Sequence, residues 1–164
     1  MEMKLNDVCL SMMEYYYGDA RRIQHFIKVH SLAKLIGEQE NLSSDEQYIL
    51  EIAAYVHDIG IKKSEELYGD CSGKHQEELG PEQAKNLLID LGCEGIIIKR
   101  VCYLVGHHHT YTNVDGKDYQ ILVEADFLVN LLEDQVSKDG VEQAYKNVFR
   151  TETGRRICRE MFRL

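Results

Sequence analysis

The chain has 164 residues and a formal net charge of −9. This length suggests one domain, and the negative charge repels a phosphate backbone, so we expect no duplex nucleic acid as a partner. A small phosphorylated molecule stays compatible with this charge if a cation or a local basic cluster attracts it.

Five cysteines without a C-x-x-C pair indicate reduced thiols, and hence a cytoplasmic protein. We expect neither a signal peptide nor a membrane span, because the N-terminus is polar and no apolar run reaches about 18 residues.

Periodic apolar residues and a single proline predict an all-α fold, a compact single-domain bundle of about six to eight helices. In chain order, the expected helices cover residues 2–17, 20–40, 44–58, 81–92, 94–107, 119–134, 139–149 and 152–163. Asp19 and a Ser43–Glu46 capping box mark two of the starts. Pro81 suits a first helical turn, and Gly92 suits a helix end. The polar, glycine-containing stretch 60–80 is expected to be mostly loop, with room for one short helix.

His25 is the first candidate for a metal ligand. It lies four and eight residues before Val29 and Ala33, so these three residues share one helical face and His25 points inward. His30 is five positions further on, about 140° around the helix, and is expected at the surface. A core histidine bonded to a backbone carbonyl would explain His25 alone equally well.

His57, Asp58 and Asp126 complete a candidate metal site. His57 and Asp58 end the apolar helix "EIAAYVHDIG", where both side chains can turn toward one ion; a helix cap or a surface dyad is the alternative. Asp126 lies in the apolar window "ILVEADFLVNLL", where an unpaired carboxylate is costly and an arginine partner is the alternative to a metal. Glu124 is expected to face outward. Two imidazoles and two carboxylates suit one divalent ion, either Mn, Fe, Co, Ni, Zn or Mg, and such an ion activates water and polarises a phosphoryl oxygen.

This ordered set resembles the HD superfamily of metal-dependent phosphohydrolases. The matching segments are "HFIKVHSLA", "AAYVHDIGIKK", "GHHHTY" and "VEADFLVN", within a core of roughly residues 20–135. The resemblance implies one HD-type helical domain over residues 1–164, with the metal between helices and the C-terminal helices, 139–163, packed on the core. It also implies hydrolysis of a phosphomonoester, phosphoanhydride or phosphodiester, often in a nucleotide.

Two departures from the binuclear members of that superfamily favour one metal over two. Those members carry a histidine four residues before a glycine in the segment after the HD pair. Here Gln76 holds that position before Gly80, and His75 is one step out of phase. The segment "HHTYTNVDGKDY" echoes their glycine-rich signature only faintly.

The triple run His107–His109 is the next candidate feature, with a solvated turn as the alternative. His108 and His109 fit the histidine pair that follows the HD motif in the superfamily, as ligands, phosphate-binding groups or acids toward the leaving oxygen. The sequence does not fix which of the three faces the ion. Asp58 is expected to be a ligand and also a base toward the nucleophilic water.

Three further residues are candidates for substrate binding. Lys62 and Lys63 would hold a phosphate at the mouth of the site, and Glu77, in a loop over the site, would orient water. Solvent exposure is the alternative for each. The leading hypothesis is a metal-dependent hydrolase of a small phosphorylated substrate. The competing one is a non-catalytic module that binds metal or nucleotide for regulation, and a homodimer is left open.

Overall fold

The computed structural model describes residues 3–164, which form nine α-helices and no β-strand. The helices are α1 (Leu5–Tyr15), α2 (Ala20–Gln39), α3 (Ser44–Val56), α4 (Gly60–Tyr68), α5 (Gly73–Asp90), α6 (Gly95–Val105), α7 (Lys117–Glu133), α8 (Lys138–Asn147) and α9 (Glu152–Phe162). The all-α bundle is therefore confirmed, with more helices than the six to eight expected. The predicted start of the first helix, residue 2, lies outside the described residues.

The capping residues act as the sequence predicts. The Asp19 side chain accepts a hydrogen bond from the Arg22 backbone N–H, which starts α2. Ser43 and Glu46 form the reciprocal capping box at the start of α3. Gly92, the second residue after the end of α5, adopts a φ of +76°, a left-handed conformation that favours glycine.

The stretch 60–80 contains the short helix that the sequence allowed for, but the prediction of mostly loop was wrong, because α4 and the first turns of α5 occupy most of it. The buried side of α5 consists of residues four apart, namely Gln76, Gly80, Ala84 and Leu88. The first two of these are not apolar, so the helical period is hidden in the sequence. Pro81 lies inside α5 instead of in a first turn.

α3 lies at the centre of the bundle and packs against α2, α6 and α7. Every residue from Leu50 to Val56 is buried, including Glu51.

The prediction that His30 on α2 lies at the surface was wrong, because its side chain is half-buried. Its Nε2 lies 2.9 Å from Glu51 Oε1, and its ring stacks on Tyr55 at 3.9 Å between centroids. The reason is that α3 covers this side of α2 as well.

The prediction that Glu124 faces outward was also wrong. Glu124 is fully buried, because the turn between α8 and α9 covers its side of α7. Its carboxylate accepts hydrogen bonds from the Thr151 hydroxyl at 2.7 Å and from the backbone N–H groups of Thr151 and Arg150 at 3.1 and 3.2 Å. Gln120 donates a fourth hydrogen bond to this carboxylate at 2.6 Å.

None of the helices in the described residues is long and apolar enough to cross a membrane.

Candidate metal centre

Three parts of the bundle bring four polar side chains together. His25 comes from α2, His57 and Asp58 from the turn between α3 and α4, and Asp126 from the middle of α7. His25 Nε2 lies 3.3 Å from His57 Nε2 and 3.2 Å from both Asp58 Oδ2 and Asp126 Oδ1. His57 Nε2 lies 3.3 Å from the same two oxygens. Ligand atoms that share one divalent ion at about 2.0–2.2 Å have separations of this size, so the set fits an ion.

The turn between α3 and α4 holds His57 and Asp58 in place. His57 follows the last residue of α3, and the Tyr16 hydroxyl donates a hydrogen bond to the Asp58 carbonyl at 2.7 Å. The turn also lies very close to α5. A Cβ at Gly60 would be 2.8 Å from the Gln76 carbonyl oxygen, so only glycine fits there.

Backbone carbonyls and one carboxylate fix the tautomers of the histidines. The Nδ1–H of His57 donates to the Ala54 carbonyl at 2.7 Å. In this tautomer Nε2 carries no proton, and its lone pair points toward the cluster. On His25, Nδ1 lies 3.3 Å from the Glu133 carboxylate, so its Nε2 is also free to ligate. This tautomer pattern is typical of histidines that hold metals.

The cluster concentrates negative charge in a buried place. Burial lowers the pKa of His25, but hydrogen bonds to Asp126 and Asp58 outweigh this and raise the pKa to about 9. The same two carboxylates overcome burial at His57 and raise its pKa well above the ordinary value. Burial in turn raises the pKa of Asp58 and Asp126, and the imidazoles overcome it, so both pKa values lie below the ordinary range. Without an ion, protonated imidazoles supply the positive charge that two ionised, buried carboxylates need, and a divalent ion bound here would replace those protons.

His108 and His109 face Asp58 from the far side of the cluster. Asp58, His108 and His109 each offer an atom within 4.8 Å of the others. The Nδ1–H of His108 donates to the Val105 carbonyl at 2.7 Å, and its Nε2 lies 3.3 Å from Asp58 Oδ1. That Nε2 is buried and has no partner with hydrogen-bond geometry in the described part of the chain. An ion or a proton at this point would satisfy it.

The sequence left open which of the three consecutive histidines faces the site. His107 turns away, with its Nδ1 2.7 Å from the Tyr103 carbonyl and its ring stacked on Tyr103. His109 Nε2 lies 2.8 Å from Gln76 Oε1. Burial, with His108 as a second cause, lowers the pKa of His109 to about 4, so its ring is neutral near pH 7 and able to ligate. The catalytic roles of Asp58, His108 and His109 stay predictions.

Sequence reasoning missed Asn130 and Glu133, two residues that support the ligands. Asn130 Nδ2 donates to Asp126 Oδ1 at 2.9 Å, and Glu133 contacts His25. Both lie on the face of α7 that carries Asp126, four and seven residues further on. Helical spacing from Asp126 was the signal that would have found them.

The two lysine candidates lie outside the cavity beside His25. Lys62 Nζ donates to the Tyr15 carbonyl at 3.2 Å and lies 5.0 Å from the centre of the Tyr15 ring. Lys63 Nζ lies 3.6 Å from a Glu66 carboxylate oxygen at the surface. Their role in holding a phosphate therefore stays a prediction without a contact to support it.

Glu77 lies on α5, not in a loop over the site as expected. Its two carboxylate oxygens accept hydrogen bonds from the Thr110 hydroxyl at 3.0 and 2.9 Å. It does not line the cavity beside the cluster. Its role in orienting water stays a prediction.

A cavity of about 570 Å³ opens onto the cluster. Arg21 and Arg22, one turn before His25 on α2, lie at its rim. The cavity is lined by Asp19, Arg21, Arg22, His25, Asp58, Ile61, Cys71, Gln76, His109, Asn130, Glu133 and Asp134.

Comparisons with known proteins point to one family. The sequence model for the HD domain matches residues 22–160, which include all four residues of the cluster. The crystal structure of a predicted HD superfamily hydrolase from an uncultured Thermotogales bacterium superposes with a TM-score of 0.64 and 26% sequence identity. That alignment covers 97% of this chain and 83% of the other. A comparison with curated proteins gave no significant match.

Proposed function

The chain belongs to the HD domain family, and we propose from this that it is a metal-dependent hydrolase of a small phosphorylated substrate. The substrate is a phosphomonoester, a phosphoanhydride or a phosphodiester. One observation carries the proposal: His25, His57, Asp58 and Asp126 bring four donor atoms together beside a cavity that His25 and Asp58 line. The Thermotogales protein is described as a hydrolase, which agrees with this assignment.

The four residues of the cluster would hold the ion, with Glu133 orienting His25 and Asn130 orienting Asp126. When bound, a divalent ion supplies Lewis acidity, which activates water and withdraws electrons from a phosphoryl oxygen. The protein contributes position, because the buried walls of the cluster keep the donor atoms fixed before substrate arrives. The identity of the ion, among Mn, Fe, Co, Ni, Zn and Mg, is left to experiment.

Hydrolysis requires one proton acceptor and one proton donor beside the phosphorus. A bond forms from water oxygen to phosphorus, the bond from phosphorus to the leaving oxygen breaks, and that oxygen gains a proton. In this proposal Asp58 accepts the proton of the water; the contacts of its Oδ2 with His57 and of its Oδ1 with His108 support this role. In the same proposal His108, whose Nε2 lies 3.3 Å from Asp58 Oδ1, donates the proton to the leaving oxygen, and His109, whose ring is neutral near pH 7, serves as a ligand.

The test combines metal titration with a phosphate-release assay. We expect His57→Ala and Asp58→Ala each to abolish Mn²⁺ binding in isothermal titration and phosphate release from every compound of a nucleotide and sugar-phosphate panel. His75→Ala is the matched control, because His75 is bonded to Asp70 at the surface and lies outside the cluster. Full turnover in either cluster variant would refute the proposal.

The competing function, a regulatory module that binds metal or nucleotide, makes a different prediction in the same assay. Tight binding of one nucleotide, with no turnover of any compound by the Mn²⁺-loaded protein, would favour the regulatory module over the hydrolase.

A further inference from the structure

We infer that Gln76 is a positioning residue, which fixes the tautomer of His109 so that Nδ1, and not Nε2, is the nitrogen left for an ion or a substrate. The role of His109 toward an ion or a substrate rests on the proposed function, whereas its tautomer follows from hydrogen bonds alone. The two parts can therefore be tested separately.

Gln76 is held at both ends of its amide group. Its side chain is buried, and its Nε2 donates a hydrogen bond to the Cys71 carbonyl at 2.7 Å. Its Oε1 lies 2.8 Å from His109 Nε2. Cys71, Gln76 and His109 all line the cavity beside the cluster, so the His109 ring is held at a wall that a substrate would meet.

The Cys71 carbonyl decides which way the amide of Gln76 points. A carbonyl oxygen only accepts hydrogen bonds, so it needs the NH₂ end of the amide. In the opposite orientation, Gln76 Oε1 would face the Cys71 oxygen at the same distance, with no proton between the two acceptors. Because the loss of this hydrogen bond in a buried place is costly, the amide oxygen faces His109.

The amide oxygen in turn decides which nitrogen of His109 carries a proton. This oxygen only accepts, so His109 Nε2 must donate the hydrogen bond. A neutral imidazole has one N–H group, and Nδ1 therefore keeps its lone pair. Among residues 3–164, nothing forms a hydrogen bond with this Nδ1. It is thus the nitrogen of His109 that can bind an ion or accept a proton from a substrate.

His108 and His109 consequently present different nitrogens, although their rings lie only 4.0 Å apart between centroids. The Nδ1–H of His108 donates to the Val105 carbonyl, which leaves Nε2 beside Asp58. A backbone carbonyl sets the tautomer of His108, whereas a side chain sets that of His109. The tautomer of His109 can therefore be changed by a single substitution.

The packing of α5 holds Gln76 in this position. A Cβ on Gly73, three residues before Gln76, would lie 3.0 Å from His109 Cβ. A Cβ on Gly60 would lie 2.8 Å from the backbone oxygen of Gln76. The start of α5 is therefore in close contact with His109 and with the turn that follows Asp58, and Gln76 lies between them.

The direct test is the nitrogen NMR spectrum of the isotope-labelled, metal-free full chain near pH 7, where the His109 ring is neutral. Couplings between the ring carbon protons and the ring nitrogens identify the nitrogen that carries the proton. We expect the proton of His109 on Nε2. His107, whose Nδ1 donates to the Tyr103 carbonyl, gives the opposite pattern and serves as an internal reference. A proton on Nδ1 of His109 in the native chain, alone or in a doubly protonated ring, would overturn the inference.

Gln76→Met removes the amide and keeps the length of the side chain. We expect His109 in this variant to become a mixture of both tautomers, and kcat/KM for p-nitrophenyl phosphate with Mn²⁺ to fall about 10- to 100-fold. Gln83→Met is the matched control, because Gln83 lies on the same helix but lines a groove beside α1. It should leave both the tautomer and the turnover unchanged.

The outcomes separate a positioning role from a structural one. A His109 tautomer that stays the same in Gln76→Met, with only a lower Tm, would mean that Gln76 merely supports the fold and would overturn the inference. A changed tautomer with full turnover would overturn the positioning role. Failure of the native chain to release phosphate from any compound would remove the proposed function and that role with it, while the NMR spectrum would still decide the tautomer.

Discussion

Glu133 is a carboxylate that contacts the candidate metal centre through its ligand candidate His25. It lies at the end of α7, with one oxygen 3.3 Å from His25 Nδ1 and the other 3.5 Å from Lys28 Nζ. A carboxylate at this position orients the imidazole and makes its opposite nitrogen a better ligand. Glu133 therefore connects the last residue of α7 to the ligand candidate His25 on α2.

We predict that Glu133→Ala weakens Mn²⁺ binding about 10- to 100-fold, the usual loss when such a supporting group is removed. Glu133→Gln should lose less, because the amide oxygen still accepts the hydrogen bond from Nδ1. Isothermal titration measures both. Glu160→Ala is the control, since Glu160 is an exposed helical glutamate on α9 that accepts a hydrogen bond from Arg156 and lies outside the cluster. Unchanged affinity in Glu133→Ala would show that His25 needs no orienting partner.

The ligand candidates could be found from sequence because ionisable groups are unusual in apolar helices. His25 and Asp126 stood out for this reason, and the structure brings them together with His57 and Asp58. Glu133 did not stand out, because it follows the apolar run and looks like an ordinary surface residue.

Glu124 shows that the side of a helix opposite a buried residue is not always exposed, because a second element can cover it. The sequence places it opposite Asp126, which suggested solvent, but the turn before α9 covers that side of α7. We predict that Glu124→Ala destabilises the fold by about 2–4 kcal/mol, because it leaves the partly buried backbone N–H groups of Arg150 and Thr151 and the Thr151 hydroxyl without their acceptor. Urea denaturation followed by circular dichroism measures the free energy of unfolding.

Glu160→Ala is again the reference for Glu124→Ala, with an expected change of about 0–1 kcal/mol for an exposed ion pair. A loss in Glu124→Ala no larger than this would mean that water replaces the carboxylate. The first turn of α9 would then not depend on Glu124.

At the scale of elements, α4 and α5 approach each other more closely than side chains allow. A Cβ on Gly60 would lie 2.9 Å from the Gly80 backbone nitrogen, and one on Gly80 would lie 2.7 Å from Val105 Cγ1. This contact brings α5 near the metal centre, where Gln76 meets His109.

We predict that Gly60→Ala lowers the free energy of unfolding by about 1–3 kcal/mol, the usual cost of overpacking, and weakens Mn²⁺ binding by moving the turn that carries Asp58. Gly95→Ala is the matched control. Gly95 is also in a first helical turn, but a Cβ there meets nothing within 4 Å, so alanine should be neutral or stabilising by up to about 1 kcal/mol. Equal stability of the two variants would contradict the close contact.

The long amphipathic helices could be predicted, whereas α4 and the start of α5 could not. α2, α3 and α7 carry regular apolar residues or clear caps, and their bounds agree with prediction to within three residues. In α5 the buried stripe begins with Gln76 and Gly80, which pack through size and hydrogen bonding. A method that looks for apolar periodicity has nothing to detect there.

At the scale of the whole molecule, the candidate metal centre joins parts of the chain that are far apart in sequence. His25, the His57–Asp58 pair and Asp126 lie on separate helical elements, all packed around α3. The order of these elements is typical of the HD domain family, and family resemblance is what allowed the fold to be predicted beyond its class. An ion bound there would act as a cross-link within the bundle and would also neutralise buried carboxylates.

We therefore predict that a divalent ion stabilises the native chain and that chelation removes the gain. An ion present at about 100 times its dissociation constant stabilises a native state by about 2.7 kcal/mol, if it does not bind the unfolded chain. For a chain of this size, each kcal/mol raises Tm by about 2–4 °C, so Tm should rise by roughly 5–11 °C. Differential scanning fluorimetry with Mn²⁺, and then with excess EDTA, measures the change and its reversal. His57→Ala should show no rise, whereas His75→Ala should match the native chain. An equal rise in His57→Ala would place the stabilising ion elsewhere in the protein.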